Sequence, residues 1–219
     1  MEVDSAWRVE DVESKDGYYR AMATGVNSHK ALALKPALPG RFQIRNALTA
    51  ATAARLLAQR GFPVSDEAIM GGIATVRWPG RLERLSEKPA IYLDGTHNPA
   101  GARELARFWD ENFAGRRIIL VYGAMRDKAV DEIAGLLFPR ADTVILTEPR
   151  QPRAISVSVL SEMSGDLAKH SLVVRNPSEA IERAVEMASA EDAVFVTGSL
   201  YLVGELRAYW NSVSRRAVE

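Results

Sequence analysis

From Leu82 onward the chain alternates short apolar runs with amphipathic stretches of ten or more residues, and this alternation constrains the fold more than any other feature. The runs at 91–93, 118–122, 143–146, 172–174 and 193–196 read as strands. Segments 99–112, 128–137, 157–169, 178–190 and 200–211 read as helices. A strand–helix–strand succession sets strands side by side and parallel, with helices packed on the sheet faces. Most of the runs lack a polar alternation, as strands covered on both faces require. The expected architecture is therefore α/β, a mostly parallel sheet flanked by helices.

The first eighty residues have a different texture. Runs 6–10, 18–24 and 31–35 are β-compatible and separated by turn-rich pieces, Lys15-Asp16-Gly17 and Gly25-Val26-Asn27-Ser28, so they read as a meander. Leu38-Pro39-Gly40 stops the strands. Phe42, Ile44, Leu48, Ala51, Ala54, Leu56 and Leu57 then recur at helical spacing until Gly61-Phe62-Pro63 breaks the pattern. Ser65 followed by Asp66 and Glu67 opens a second helix that ends near Val76. Three strands and two helices contain no complete α/β core, so this piece reads as the tail of a larger domain. Its first forty residues, lacking the sheet they should pack on, are expected to be comparatively mobile. The boundary falls at Trp78-Pro79-Gly80-Arg81.

Charge and composition narrow the function. The 28 basic and 28 acidic side chains cancel, and no run of like charge interrupts the mixture. Neither nucleic acid nor an anionic membrane is therefore an expected partner, and any anionic ligand must be held locally. The absence of cysteine excludes disulfides, thiolate zinc sites and a cysteine nucleophile, and fits a reducing compartment. No apolar stretch approaches the roughly 20 residues of a membrane span, and residues 1–10 are acidic and polar where a signal peptide is basic and then apolar. A soluble, cytoplasmic protein is expected. The sequence contains no G-x-x-x-x-G-K-[ST] loop, no G-x-G-x-x-G fingerprint, no G-x-S-x-G elbow and no H-E-x-x-H helix.

The richest stretch is Ile91-Tyr92-Leu93-Asp94-Gly95-Thr96-His97-Asn98-Pro99, an apolar strand running into acid, glycine, histidine and amide, and then into a proline-opened helix. Carboxyl ends of strands are where open α/β sheets bind ligands. Asp94 there suits a ribose hydroxyl, a cation or an amine. His97 suits an anionic substrate, and the helix after Pro99 offers its amino-terminal dipole to a carboxylate or phosphate. Asp94 and Asn98 equally suit capping of the turn. Gly80-Arg81-Leu82-Glu83 sets a guanidinium just past a proline–glycine hinge, where its planar fork fits a phosphate or carboxylate, although a lone arginine is commonly a solvated charge. Gly123-Ala124-Met125-Arg126-Asp127-Lys128 and Thr197-Gly198-Ser199-Leu200-Tyr201 also join apolar runs to helices. They share the sheet edge of Asp94 if the strands are parallel, and each is otherwise a tight turn. His29 and His170 read as ordinary turn and strand-flanking residues.

Four segments in order, Leu38-Pro39-Gly40-Arg41-Phe42-Gln43-Ile44-Arg45-Asn46-Ala47, Trp78-Pro79-Gly80-Arg81-Leu82-Glu83, Asp94-Gly95-Thr96-His97-Asn98-Pro99 and Gly198-Ser199-Leu200-Tyr201-Leu202-Val203-Gly204-Glu205, resemble the carboxyl-terminal half of the folylpolyglutamate synthase/dihydrofolate synthase family. The departures are Phe42, where many relatives have histidine, and Thr96, where alanine is common. The resemblance implies a Mur-ligase-type plan with a Rossmann-like carboxyl-terminal domain. Residues 1–77 would be the remnant of a central P-loop ATPase domain, 78–81 an interdomain linker and 82–219 the glutamate ligase domain. It implies an ATP-dependent ligase that adds L-glutamate to a folate or dihydropteroate through an acyl phosphate, with the missing ATPase domain as partner. It also implies that Asn46, Arg81 and Asp94 contact the nucleotide, that Asp94 and His97 are catalytic, and that His97, Asn98 and Ser199 bind substrate. ATP and Mg²⁺ are the implied cofactors; the Mg²⁺ ligands would lie mainly in the missing domain, and no metal ligand is assigned in this chain. The isolated chain is expected to be inactive. The competing readings are a Mur-type cell-wall amino-acid ligase and a non-catalytic nucleotide- or folate-binding α/β module.

Overall fold

Central strands of a parallel sheet are buried on both faces, so an apolar side chain at every position is the pattern they demand. Strands β5 (Ala90–Leu93), β6 (Ile118–Tyr122), β7 (Thr143–Leu146) and β9 (Ala193–Thr197) meet it except at Thr143 and Thr197, with every residue buried. The protein is described by a computed structural model covering residues 6–26, 31–126 and 128–216, and its chain forms two compact units, Met1–Trp78 and Pro79–Glu219.

In the second unit a six-stranded sheet has the order β4-β5-β9-β6-β7-β8, where β4 is Glu83–Glu87 and β8 is Ser171–Val173. Only the β4–β5 pair is antiparallel; the remaining pairs are parallel. The α-helices of this unit are α3 (Pro99–Asn112), α4 (Val130–Leu137), α5 (Val157–Ser164), α6 (Pro177–Met187) and α7 (Leu200–Arg216). Strand alternation sorts the core into two layers. Ile91, Leu93, Ile119, Val121, Val194 and Val196 pack with Ala180 and Ile181 of α6 and Leu202 and Leu206 of α7. Tyr92 and Phe195 turn the other way and stack at 5.1 Å, meeting Phe108 and Trp109 of α3 and Phe113.

In the first unit β1 (Trp7–Lys15), β2 (Tyr18–Gly25) and β3 (Ala31–Leu34) form an antiparallel meander. Helices α1 (Phe42–Gln59) and α2 (Asp66–Thr75) follow, the second capped by Ser65, whose hydroxyl accepts from the Ala68 amide. The strands have a packing partner in these helices. Trp7, Tyr19, Ala21, Leu32 and Leu34 share a core with Ile44 and Leu48 of α1 and Ile69 and Ile73 of α2. The Trp7 indole also donates to Thr52 at 2.8 Å.

One further difference has a local cause. The segment 157–169 is not one helix, because Gly165 at φ 44° ends α5 and leaves a 3₁₀ turn, Gly165–Leu167.

Asp142, between the 3₁₀ turn Phe138–Arg140 and β7, ties two strand starts, accepting from the Ile118 amide and from Lys169, each at 2.9 Å. Partial burial raises its pKa, but these bonds and the charges of Lys169 and Arg117 outweigh that and hold it below the ordinary 3.8. A depressed carboxylate stabilises the fold above its unfolded pKa, and that contribution is lost as pH falls through the folded value. Asp142→Asn should therefore lose about 1 kcal/mol at neutral pH, a modest figure because 34% of the side chain is exposed to screening solvent. The loss should shrink below pH 3.8, as read from urea denaturation across the acid range.

Candidate functional site

Parallel pairing brings the carboxyl ends of β5, β9 and β6 to one edge, and hydrogen bonds join the loops that leave them. Gly198 donates to the Thr96 carbonyl at 3.0 Å, Gly123 donates to the Thr197 carbonyl at 3.3 Å, and Thr197 Oγ1 donates to the Asp94 carbonyl at 2.7 Å. Gly198 sits at φ 104°, where a Cβ would meet the Gly123 carbonyl oxygen at 2.7 Å, so only glycine lets these loops approach. The segments around Asp94, Gly123 and Ser199 thus share one edge. Asp127 and His29 fall outside the described residues. His170 is exposed beside β8, its carbonyl accepting from the Val144 amide.

His97 lies on the loop between β5 and α3, half-buried. Its Nδ1 is 2.8 Å from the Gly95 carbonyl oxygen. A carbonyl only accepts, so Nδ1 carries the proton and, in the neutral ring, the lone pair is on Nε2. No protein partner of Nε2 is present among the described residues. Asn98 caps α3, its Oδ1 accepting from the Gly101 amide at 2.8 Å, and Pro99 occupies the first turn. The remaining amino-terminal N–H groups of α3 favour an anion beside His97.

Asp94 is turned into the protein. It is 3% exposed, with Oδ2 accepting from the Leu82 amide at 2.9 Å and Oδ1 from the Thr96 amide at 3.0 Å. Burial raises its pKa against the opposing effect of the Thr96 side chain, the two amides and the Arg81 charge. With both oxygens bonded to backbone amides, the carboxylate braces the loop. Thr96, 5% exposed, is part of that brace. Ser199 is likewise buried, at 1%, its Oγ accepting from the Tyr201 amide in the first turn of α7. The Asp94 and Ser199 side chains thus bond to nearby backbone, as turn residues do, and Asn98 caps α3.

Arg81 is exposed and has the donor chemistry for a phosphate or carboxylate. Its segment meets the His97 loop through a 2.7 Å bond from the Gly95 amide to the Gly80 carbonyl. Asn46 belongs to the first unit, exposed on α1, its Nδ2 donating to Gln43. Among the described residues no group of three or more His, Cys, Asp or Glu side chains is arranged to hold a metal ion, so no Mg²⁺ ligand set is present there. No helix among the described residues is long and apolar enough to cross a membrane. Sequence reading passed over Glu83 and Arg207, which bond to each other across 124 positions; the carboxylate three residues after Gly80 was the available signal.

A parallel sheet whose carboxyl edge carries an arginine, a tautomer-fixed histidine and a helix amino terminus has the donor chemistry for an anionic ligand at the place where open α/β sheets bind ligands. The profile of the Mur ligase, glutamate ligase domain, matches residues 80–200, and the chain belongs to that family. Within it the similar proteins are folylpolyglutamate and dihydrofolate synthases. One is the dihydrofolate synthase/folylpolyglutamate synthase of Bacillus subtilis, 31% identical over 80% of this chain and 40% of that protein. A probable bifunctional folylpolyglutamate synthase/dihydropteroate synthase of Halobacterium salinarum is 34% identical over 90% of this chain and 24% of its own length. Among solved structures, the Mycobacterium tuberculosis folylpolyglutamate synthase complexed with ADP superposes with a TM-score of 0.82, at 29% identity over 94% of this chain and 48% of that one. The Thermotoga maritima folylpolyglutamate synthase gives 0.73, at 34% identity over 95% and 47%. The chain thus spans less than half the length of each of these proteins.

Proposed function

We propose that this chain is the glutamate-adding part of an ATP-dependent ligase that joins L-glutamate to a folate or dihydropteroate. In this reading residues 1–77 end a central ATPase domain, 78–81 connect the two domains, and 82–219 form the glutamate ligase domain. The observation that carries it is the carboxyl edge of the parallel sheet, where Arg81, His97 and the amino terminus of α3 converge. Similarity to folylpolyglutamate synthases, one of them complexed with ADP, supports the substrate class.

ATP supplies the phosphoryl group that activates the carboxylate. Arg81 would neutralise phosphate oxygens with its fork of donors, and Asn46 would contact the nucleotide. His97 Nε2, held by the Nδ1–H bond to Gly95, would accept a proton from the glutamate ammonium or hold it in line, and the α3 amino terminus with Asn98 would take its carboxylate. Asp94 and Ser199 act through the backbone they hold. The 219 residues contain neither a P-loop nor, among the described residues, a Mg²⁺ ligand set, so the chain by itself should not turn over. The cytoplasm is the proposed compartment.

The test compares the chain alone with the chain joined to a P-loop ATPase domain. Glutamate-dependent ADP release should appear only in the joined protein, with pteroate-type but not UDP-muramoyl substrates. Release by the chain alone would refute the division of labour. Turnover of UDP-muramoyl substrates would favour a cell-wall ligase instead.

A further inference from the structure

We propose that Glu83, held by Arg207, is a positioning residue for Arg81; this rests on the reading of Arg81 as the phosphate-binding group. Both peptide neighbours of Arg81 are tethered. On one side the Gly80 amide donates to Glu83 Oε2 at 2.8 Å and the Gly80 carbonyl accepts from the Gly95 amide. On the other the Leu82 amide donates to Asp94 Oδ2. Glu83 is itself fixed from α7, where Arg207 Nε lies 2.8 Å from Oε1 and 3.0 Å from Oε2.

The backbone needs this support. Gly80 sits at φ 72° and Leu82 at φ 45°, so both residues flanking Arg81 are in the left-handed region. That conformation is costly for leucine and persists only where surrounding contacts over-determine it. Leu82 is 2% exposed, so its side chain adds a third anchor. A solvated surface arginine gains nothing from such a hold. A guanidinium that must meet a phosphate does, because fixing its Cα beforehand lowers the ordering cost on binding. Glu83 touches no proposed ligand; its action runs through the Gly80 amide.

The test has two arms. In the 219-residue chain, hydrogen exchange should show the Gly80 amide slowed in the wild type. Glu83→Ala and Arg207→Ala should each speed it at least tenfold while the β9 amides stay protected, and Arg207→Lys should keep most of the slowing. An unchanged Gly80 rate in Glu83→Ala would overturn the proposal. In the protein joined to its ATPase domain, Arg81→Ala and Glu83→Ala should both raise KM for ATP about tenfold, with little effect on KM for glutamate. The double variant should be no worse than Arg81→Ala, and Arg207→Lys should rescue most of the loss of Arg207→Ala. Multiplying losses in the double variant, or an unimpaired Glu83→Ala beside an impaired Arg81→Ala, would overturn the positioning role alone. An unimpaired Arg81→Ala would instead overturn the reading of Arg81, and the proposal with it.

Discussion

Replacing His97 with alanine in the joined ligase is expected to lower kcat/KM by roughly 10²-fold or more, about 2.7 kcal/mol at the transition state, at a nearly unchanged melting temperature. The separation of the two effects follows from geometry. The only bond His97 makes to the described protein is from Nδ1 to the Gly95 carbonyl, and the ring is half-buried on a loop, so little of the fold depends on it. Nε2 is left with its lone pair for chemistry. His97→Gln, which cannot take up a proton at neutral pH, should recover little. Full activity of the alanine variant at unchanged melting temperature would reduce His97 to a turn residue and remove the centre of the proposed site.

Asp94→Ala is expected to act in the opposite way, costing roughly 2–6 kcal/mol of stability before any question of activity arises. Removing the carboxylate leaves the buried amides of Leu82 and Thr96 without acceptors, at about 1–3 kcal/mol each. Asp94→Asn should recover only part, because its amide presents a donor to one of those two N–H groups. The pH dependence is a second check. The folded pKa is raised above the ordinary 3.8, so the native state binds more protons than the unfolded chain in the window above that value. The wild-type advantage over Asp94→Ala is then largest below 3.8 and narrows as pH rises through the folded value. Urea melts of both proteins across that range measure it. A stability loss under 0.5 kcal/mol would show Asp94 to be a solvated turn residue.

The interior of the second unit was legible because each central strand announces itself. Residues 118–122, 143–146 and 99–112 fall on β6, β7 and α3 without adjustment. The edge strand β4 was not legible. Glu83-Arg84-Leu85-Ser86-Glu87 has one apolar residue in five, and its strand state comes from antiparallel pairing with β5. At the other edge β8 is exposed throughout, so its pattern set its existence but not its bounds. The site was legible as far as neighbours in sequence reach. Asp94, His97 and Asn98 were found together because one strand end holds them, whereas the inward turn of Asp94 depends on Leu82, twelve residues away, and the hold on Gly80 depends on Arg207. Residue type and spacing indicate which groups gather; they do not state which face another segment.

The aromatic packing has a practical consequence for optical measurement. The chain has four tryptophans. Trp109, 1% exposed, lies 5.0 Å from the Phe195 ring, Trp7 is buried at 8% in the first unit, and Trp78 is 62% exposed. Indoles in such unequal surroundings emit at different wavelengths and yield unequally to an aqueous quencher. A variant that keeps only Trp7 (Trp78, Trp109 and Trp210 changed to Phe) and one that keeps only Trp109 (Trp7, Trp78 and Trp210 changed to Phe) would therefore give each unit its own fluorescent reporter. Whether the two units melt together or one after the other then becomes a question of comparing the emission curves of the two variants.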